Sequence, residues 1–384
     1  MGAVTLDVLG EALRLGPVGA AAQPPAASSP RIRPDHLLTM VDDVGIIEHA
    51  DGVVPNRASG YCVDDVARLV LVALGLDREL GNPTYSRMLA LGLSFLRHAW
   101  DPAVPGMHNI MAYDRRWVGD PHEGDHVGRT AWALGEVVAA QPPRAVAAPS
   151  LRLLEEMAPC LEGTMSPRGV AFTVLGLSRP GPDAMPEPLQ KLLRTLADRL
   201  AGLYAESRTD DWRWFEDILA YDNARLPQAL IAAGHRLDDP ALLTMGLEAL
   251  EWYAEQCDLD SAAVRFVGNH WRRPDRPVAP PGDEGDEQPL EAAALVEALT
   301  EALAATGRRE YGRQAVRAFE WFLGRNRLGV AVYDFATGGC HDGLGQDSLN
   351  DNEGAESTLA FLQALLAVDG AGLQASLLAS LPAQ

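Results

Sequence analysis

One design recurs six times along this chain: a polar mouth followed by a stretch that is apolar on nearly every side. Its clearest instance starts with Gly60-Tyr61-Cys62-Val63-Asp64-Asp65 and runs on through Leu69-Val70-Leu71-Val72-Ala73-Leu74. Counted from residue 64, related stretches begin near 126, 168, 222, 288 and 353, which puts successive starts 62, 42, 54, 66 and 65 residues apart. A helix that is apolar all round belongs in an interior, and each interval has room for that helix, a return helix and a loop.

The segments between these stretches supply the return helices. Tyr85 to Leu96, Leu151 to Leu161, Leu189 to Tyr204, Ala241 to Tyr253 and Tyr311 to Leu323 carry apolar residues at three-and-four spacing with polar residues between, the stripe of a helix with one face in water. The spacing therefore predicts an all-α (α/α)6 toroid, a six-hairpin barrel with apolar helices inside and striped helices outside. Inner helices pass to outer ones through short turns, as at Gly81-Asn82-Pro83 and Asp238-Asp239-Pro240. The return connections, roughly 98–126, 206–222, 257–288 and 326–353, are long. Long loops on one rim of a rigid scaffold are where sites are built. Met107 to Tyr113 and Val264 to Trp271 alternate like strands, so short β pieces are expected on that rim.

The 384 residues exceed one ordinary core, but a closed ring of hairpins uses them as a single domain. Residues 34–384 are assigned to that domain. Residues 1–33 are read as an N-terminal helix, Val4 to Leu15, followed by an Ala/Pro/Ser linker. A net charge of −21 argues against nucleic acid, whose binding depends on clustered Lys and Arg. Four cysteines without metal-type pairing, no secretory leader and no long apolar span point to a cytoplasmic protein that does not cross a membrane.

Imidazoles, carboxylates and indoles concentrate in the rim segments, a mixture suited to a polyhydroxylated ring that offers hydroxyls to bond and C–H faces to stack on. An oligosaccharide is the expected substrate. Glu216 lies among Trp212, Trp214 and Phe215, whose apolar faces would hold its proton near neutrality, as a general acid needs. Asp64, Asp65 and Asp222 stand at helix starts, where the dipole and free N–H groups favour the ionised form. Asp65 is the expected base, and Asp64 the expected helix cap or hydroxyl binder. Glu291 and Glu356 stand one turn into their helices, where a side chain either reaches back as a capping box or points into the funnel. His126, His270 and His341 would serve a sugar epimerase. No zinc or calcium spacing, phosphate loop or dinucleotide fingerprint is present, and no metal or cofactor is expected.

The motifs Gly60-Tyr61-Cys62-Val63-Asp64-Asp65, Ala112-Tyr113-Asp114-Arg115-Arg116-Trp117, Trp214-Phe215-Glu216-Asp217, Tyr221-Asp222-Asn223-Ala224-Arg225-Leu226-Pro227, Gln288-Pro289-Leu290-Glu291-Ala292 and Gly354-Ala355-Glu356-Ser357-Thr358-Leu359 resemble a family of bacterial six-hairpin glycosidase-like domains. The resemblance covers about residues 35–370. Members occur alone or appended to glycosyltransferases, often beside mannoside-processing enzymes. It implies an (α/α)6 toroid, work on a neutral and perhaps mannose-type glycoside, and a possible glycosyltransferase partner. Together with the residue chemistry it places Tyr61, Asp64, Tyr113, Trp117, His126, Arg129, Trp214, Asp217, Asp222, His270, Glu291, His341, Glu353 and Glu356 around the substrate. The chain departs from the family pattern at Val66, where Asn is usual, and at Glu353, where Gln is usual. The leading expectation is an inverting glycoside hydrolase with Glu216 as acid and Asp65 as base. A histidine-based epimerase or a non-catalytic sugar-binding accessory is the alternative.

Overall fold

The computed structural model describes residues 33–104, 106–276, 278, 280 and 283–380. The helix expected at Val4 to Leu15 and its linker lie outside the described residues. Short α1 (Asp35–Met40) leads to α2 (Val63–Leu80) and α3 (Pro83–Ala99), then α4 (Asp125–Ala139) and α5 (Arg144–Gly163). After these come α6 (Pro167–Ser178), α7 (Glu187–Ser207), α8 (Arg225–Arg236) and α9 (Pro240–Gln256). The chain continues through α10 (Pro289–Thr306), α11 (Arg309–Phe319), α12 (Ala355–Gly370) and α13 (Gln374–Ser380).

The even-numbered helices from α2 to α12 are the apolar ones, and each touches the next until α12 returns to α2, closing the inner ring. Their starts fall within three residues of the expected positions. Hairpin ends follow from local chemistry. Gly81 leaves α2 in the left-handed conformation, φ 58°, and Asn82 then caps α3 by accepting from the Thr84 N–H, with Pro83 filling the first helical position. Asp239 and Pro240 do the same for α9.

The tightest junction lies between α4 and α6, where a Cβ added at Gly135 would fall 2.0 Å from the Gly176 carbonyl oxygen. Backbones that approach this closely need glycine at the crossing. They are joined by α5 and a link of only Thr164 to Ser166, so this connection is short where the others are long. The sixth hairpin also differs. Among the described residues no long outer helix follows α12; the six-residue α1 packs against α12, and α13 packs against α11.

The rim carries small antiparallel sheets: β1 (Ala50–Asp51) with β2 (Val54–Pro55), β3 (Tyr61–Cys62) with β6 (Ile110–Met111) and β7 (Trp117–Val118), and β4 (Trp100–Asp101) with β5 (Gly106–Met107). The β pieces expected within Met107 to Tyr113 are therefore present. Val264 to Trp271 forms no strand. Its N–H groups go to several separate acceptors, among them the Arg325 and Cys257 carbonyls, the Glu287 carboxylate and the Glu284 carbonyl, so no ladder can propagate. Among the described residues no helix is long and apolar enough to cross a membrane.

Candidate active site

A polar cavity of about 550 Å³ lies at the mouth of the inner ring, over the first turns of α2, α4 and α12. The approach to α2 is built by backbone contact. Gly60, at φ 75°, brings β3 so close to β6 that a Cβ there would lie 2.2 Å from the Met111 carbonyl oxygen. Cys62 takes the cap position with no side-chain cap bond, which leaves Asp64 and Asp65 in the first turn free to reach partners elsewhere. The capping role expected for Asp64 is thus not used.

Two buried arginines organise the carboxylates. Arg68, one turn into α2, donates to Asp65 Oδ1 at 2.9 Å and reaches Glu356 Oε2 at 2.8 Å. Arg129, one turn into α4, bonds Asp64 Oδ1 and Asp222 Oδ2, each at 2.9 Å, with its guanidinium 4.0 Å above the Phe172 ring. Asp222 continues to Arg225 at 3.3 Å, and Arg225 to Glu297 at 2.6 Å. Asp222 holds this place at φ 49°, a left-handed conformation uncommon for a residue with a side chain. It does not line the cavity itself.

These partners push adjacent carboxyls in opposite directions. Burial alone would raise Asp64, but Arg129 and Arg68 outweigh it and hold it below the usual carboxylate range. Burial dominates at Asp65; Arg68 opposes it, while Glu356 and Asp64 add to it, and its pKa is pushed up to about 8. Burial likewise raises Glu356, with Arg68 opposing. Asp65 was expected to be ionised by its helix start. Burial beside other carboxylates overrides the dipole and favours the protonated form.

Of the expected residues, Asp64, Asp65, His126, Arg129 and Glu356 line the cavity. His126 is buried and bonds the Met107 carbonyl through Nε2 at 3.1 Å; burial lowers its pKa, which favours the neutral ring. Glu216 is not in the lining. Its carboxylate is held by Arg168 at 2.7 and 3.2 Å rather than desolvated by indoles. Trp214 is fully buried against Phe215, Trp252 and Tyr253. Tyr61 is buried with its hydroxyl on Asp42 at 2.7 Å, and Tyr113 stacks outside it. Trp117 stacks on His108, and exposed Asp217 pairs with Arg273 at 2.9 Å.

The remaining expected residues also turn elsewhere. His270 is exposed on a turn, and His341 bonds the Asn350 carbonyl at 3.0 Å. Glu353 accepts from Thr337 at 2.9 Å, behind the start of α12. Glu291 accepts from Tyr253 at 2.7 Å and from Asn223, and burial raises its pKa to about 7. Neither Glu291 nor Glu356 reaches back to close a capping box on its own helix.

Sequence reasoning missed Arg68, Glu48, Asn109, Tyr221 and Gln288 in the lining, and did not place Asp125 or Asp342 around the substrate. Arg68 carried a usable signal: a lone cation in an apolar inner helix must find a buried anion. Glu48 carried none, since only folding brings its loop beside α2. Asp125 accepts from Tyr221 and Ser166, and Asp342 from Ser357. Glu48, Cys62 and Asp65 place three possible metal-ligand atoms within 4.8 Å of one another. Burial raises all three groups, and Arg68, already bonded to Asp65, opposes a further cation there.

No protein-family model and no curated protein matches the chain. Solved structures do. A sugar epimerase from a ruminal bacterium is 12% identical with a TM-score of 0.67, over 88% of this chain and 94% of that one. A D-mannose isomerase is 14% identical with a TM-score of 0.62, over 86% and 94%. An α-1,6-mannanase of Salegentibacter sp. HEL1_6, solved with α-1,6-mannotriose as an inactive variant in which two adjacent aspartates are asparagine, is 10% identical with a TM-score of 0.57, over 88% and 96%. At such identities the likeness is one of fold, and the chain has the six-hairpin (α/α)6 toroid found in these carbohydrate-active enzymes.

Proposed function

We propose that this protein is a glycoside hydrolase acting on a neutral, mannose-type oligosaccharide in the cavity above α2. One observation carries the reading: adjacent carboxyls at the cavity meet different partners, Asp64 the guanidinium of Arg129 and Asp65 an Arg68 that it shares with Glu356, and these push the two in opposite directions. Glycoside cleavage needs a proton for the leaving oxygen and an ionised carboxylate for water or the anomeric carbon. Asp64 is the ionised member, and the proton belongs to the carboxyl pair that shares Arg68, Asp65 with Glu356. Adjacent aspartates are also what the inactive mannanase variant lacks. Glu216, outside the lining and paired with Arg168, is left with a structural role. Four buried, unpaired cysteines fit the cytoplasmic location we propose. A glycosyltransferase partner is part of the same proposal, on the family resemblance alone.

Epimerisation is the second reading, and the His122 and His126 rings, 4.7 Å apart beside the cavity, favour it. The three histidines first considered for it do not converge, because only His126 reaches the lining. Incubating the purified protein with a panel of manno-oligosaccharides and following products by NMR separates the readings. Shortened chains with new reducing ends are expected. Unchanged chain length with an altered C2 configuration would replace hydrolysis with epimerisation, and binding without turnover would make the protein a sugar-binding accessory.

A further inference from the structure

Asp65 and Glu356 come from the first and last inner helices, and they share one guanidinium. Arg68 carries a single positive charge between two carboxyls, so at neutral pH the group of three is balanced when the pair holds one proton, on either carboxyl. The two differ in access. The Asp65 side chain is 5% exposed and the Glu356 side chain 32%, both beside the same cavity.

A general acid must reach the leaving oxygen. Asp65 is pinned within its own helix turn by the Arg68 bond, three residues on. Glu356 enters from the opposite side of the junction, on the second residue of α12. The start of α12 is strapped in place, because the Ala355 N–H donates to the Glu48 carbonyl at 2.9 Å and a Cβ at Gly354 would lie 2.9 Å from that same oxygen. The carboxyl of Glu356 is thus carried on a fixed backbone and opens into the cavity. The charged groups acting on it are Arg68 of α2, Asp342 of the preceding loop, Arg129 of α4 and Asp222 before α8, and it acts in turn on Asp65 of α2.

We propose that Glu356 is the catalytic residue that hands its proton to the leaving oxygen, with Asp65 as a positioning residue that holds Arg68 beside it. This rests on the hydrolase reading above. In the step, the bond from the anomeric carbon to the leaving oxygen breaks as that oxygen takes the Glu356 proton. The water oxygen bonds to the anomeric carbon, and the water gives its proton to Asp64. Solvent exchange then returns a proton from Asp64 to Glu356, so the enzyme ends as it began.

The test compares a substrate that needs the proton with one that does not. Glu356→Gln should lose about 10²- to 10⁴-fold in kcat on a manno-oligosaccharide. On the mannosyl fluoride of the anomer that the unaltered protein cleaves, whose leaving group needs little protonation, it should lose less than about tenfold, and the alkaline limb of its pH profile should disappear. Glu356→Asp, which keeps an acid at that site, should recover part of the oligosaccharide activity and guards against a folding defect in the amide variant. Equal losses on both substrates would reduce Glu356 to a positioning role and overturn the assignment, as would full oligosaccharide activity in the amide variant. If the unaltered protein cleaves neither oligosaccharide nor either mannosyl fluoride, the hydrolase reading itself fails, and this assignment with it.

Discussion

Asp64 and Asp65 are neighbours in sequence and opposites in chemistry, because each meets a different arginine in a different degree of burial. A bell-shaped rate profile follows. Activity should fall as pH rises through about 8, where the carboxyl pair of Asp65 and Glu356 gives up its proton, and should fall in acid below the usual carboxylate range, where Asp64 takes up a proton. Asp64→Asn should remove the ionised carboxylate and cost about 10²- to 10⁴-fold in kcat/KM, read on whichever oligosaccharide is cleaved. Unaltered turnover in that variant would discard Asp64 as a catalytic group. The same contrast reaches stability. Asp65 is raised in the folded state, so its contribution is fully present below its unfolded value of about 3.9 and is lost as pH climbs to about 8. Urea unfolding from pH 4 to 9 should show that loss in the unaltered protein and a flatter profile in Asp65→Asn.

At the scale of elements, the indoles and glycines of the rim and ring have separable jobs. Trp214 is fully buried, so Trp214→Ala should cost about 3–5 kcal/mol of stability in chemical denaturation and leave KM for a sugar little changed. Glu216→Gln should lower Tm by weakening the hold on Arg168, while turnover stays within about tenfold of the unaltered protein. A loss of 10²-fold or more there would return Glu216 to the chemistry. Gly135→Ala would drive α4 and α6 apart at their closest crossing and should cost about 1–3 kcal/mol or more, seen as a lower Tm. Both helices carry residues of the cavity or its supports at their mouths, Asp125 and Arg129 on α4 and Arg168 on α6, so loss of activity should accompany loss of stability.

Across the whole molecule, periodicity made the ring legible. An apolar stretch cannot face water, and a striped helix can do so on one side only, so alternating the two leaves a closed double layer as the economical arrangement. The six inner starts, the outer stripes and the rim on which the loops gather were all readable for that reason. The sequence by itself determined that carboxylates crowd the helix mouths; direction was beyond it. Whether a side chain at a mouth turns into the cavity, as Asp64, Asp65 and Glu356 do, or into a neighbour, as Glu291 and Glu353 do, depends on partners brought from other hairpins. Protonation was further out of reach, since helix-start logic made Asp65 ionised and only the closed ring supplied the burial and brought Glu356 and Glu48 beside it. Local pattern sets which residues can be inside. The tertiary structure decided which charges meet there, because Coulomb energy and desolvation depend on distances and burial that no stretch of chain contains alone.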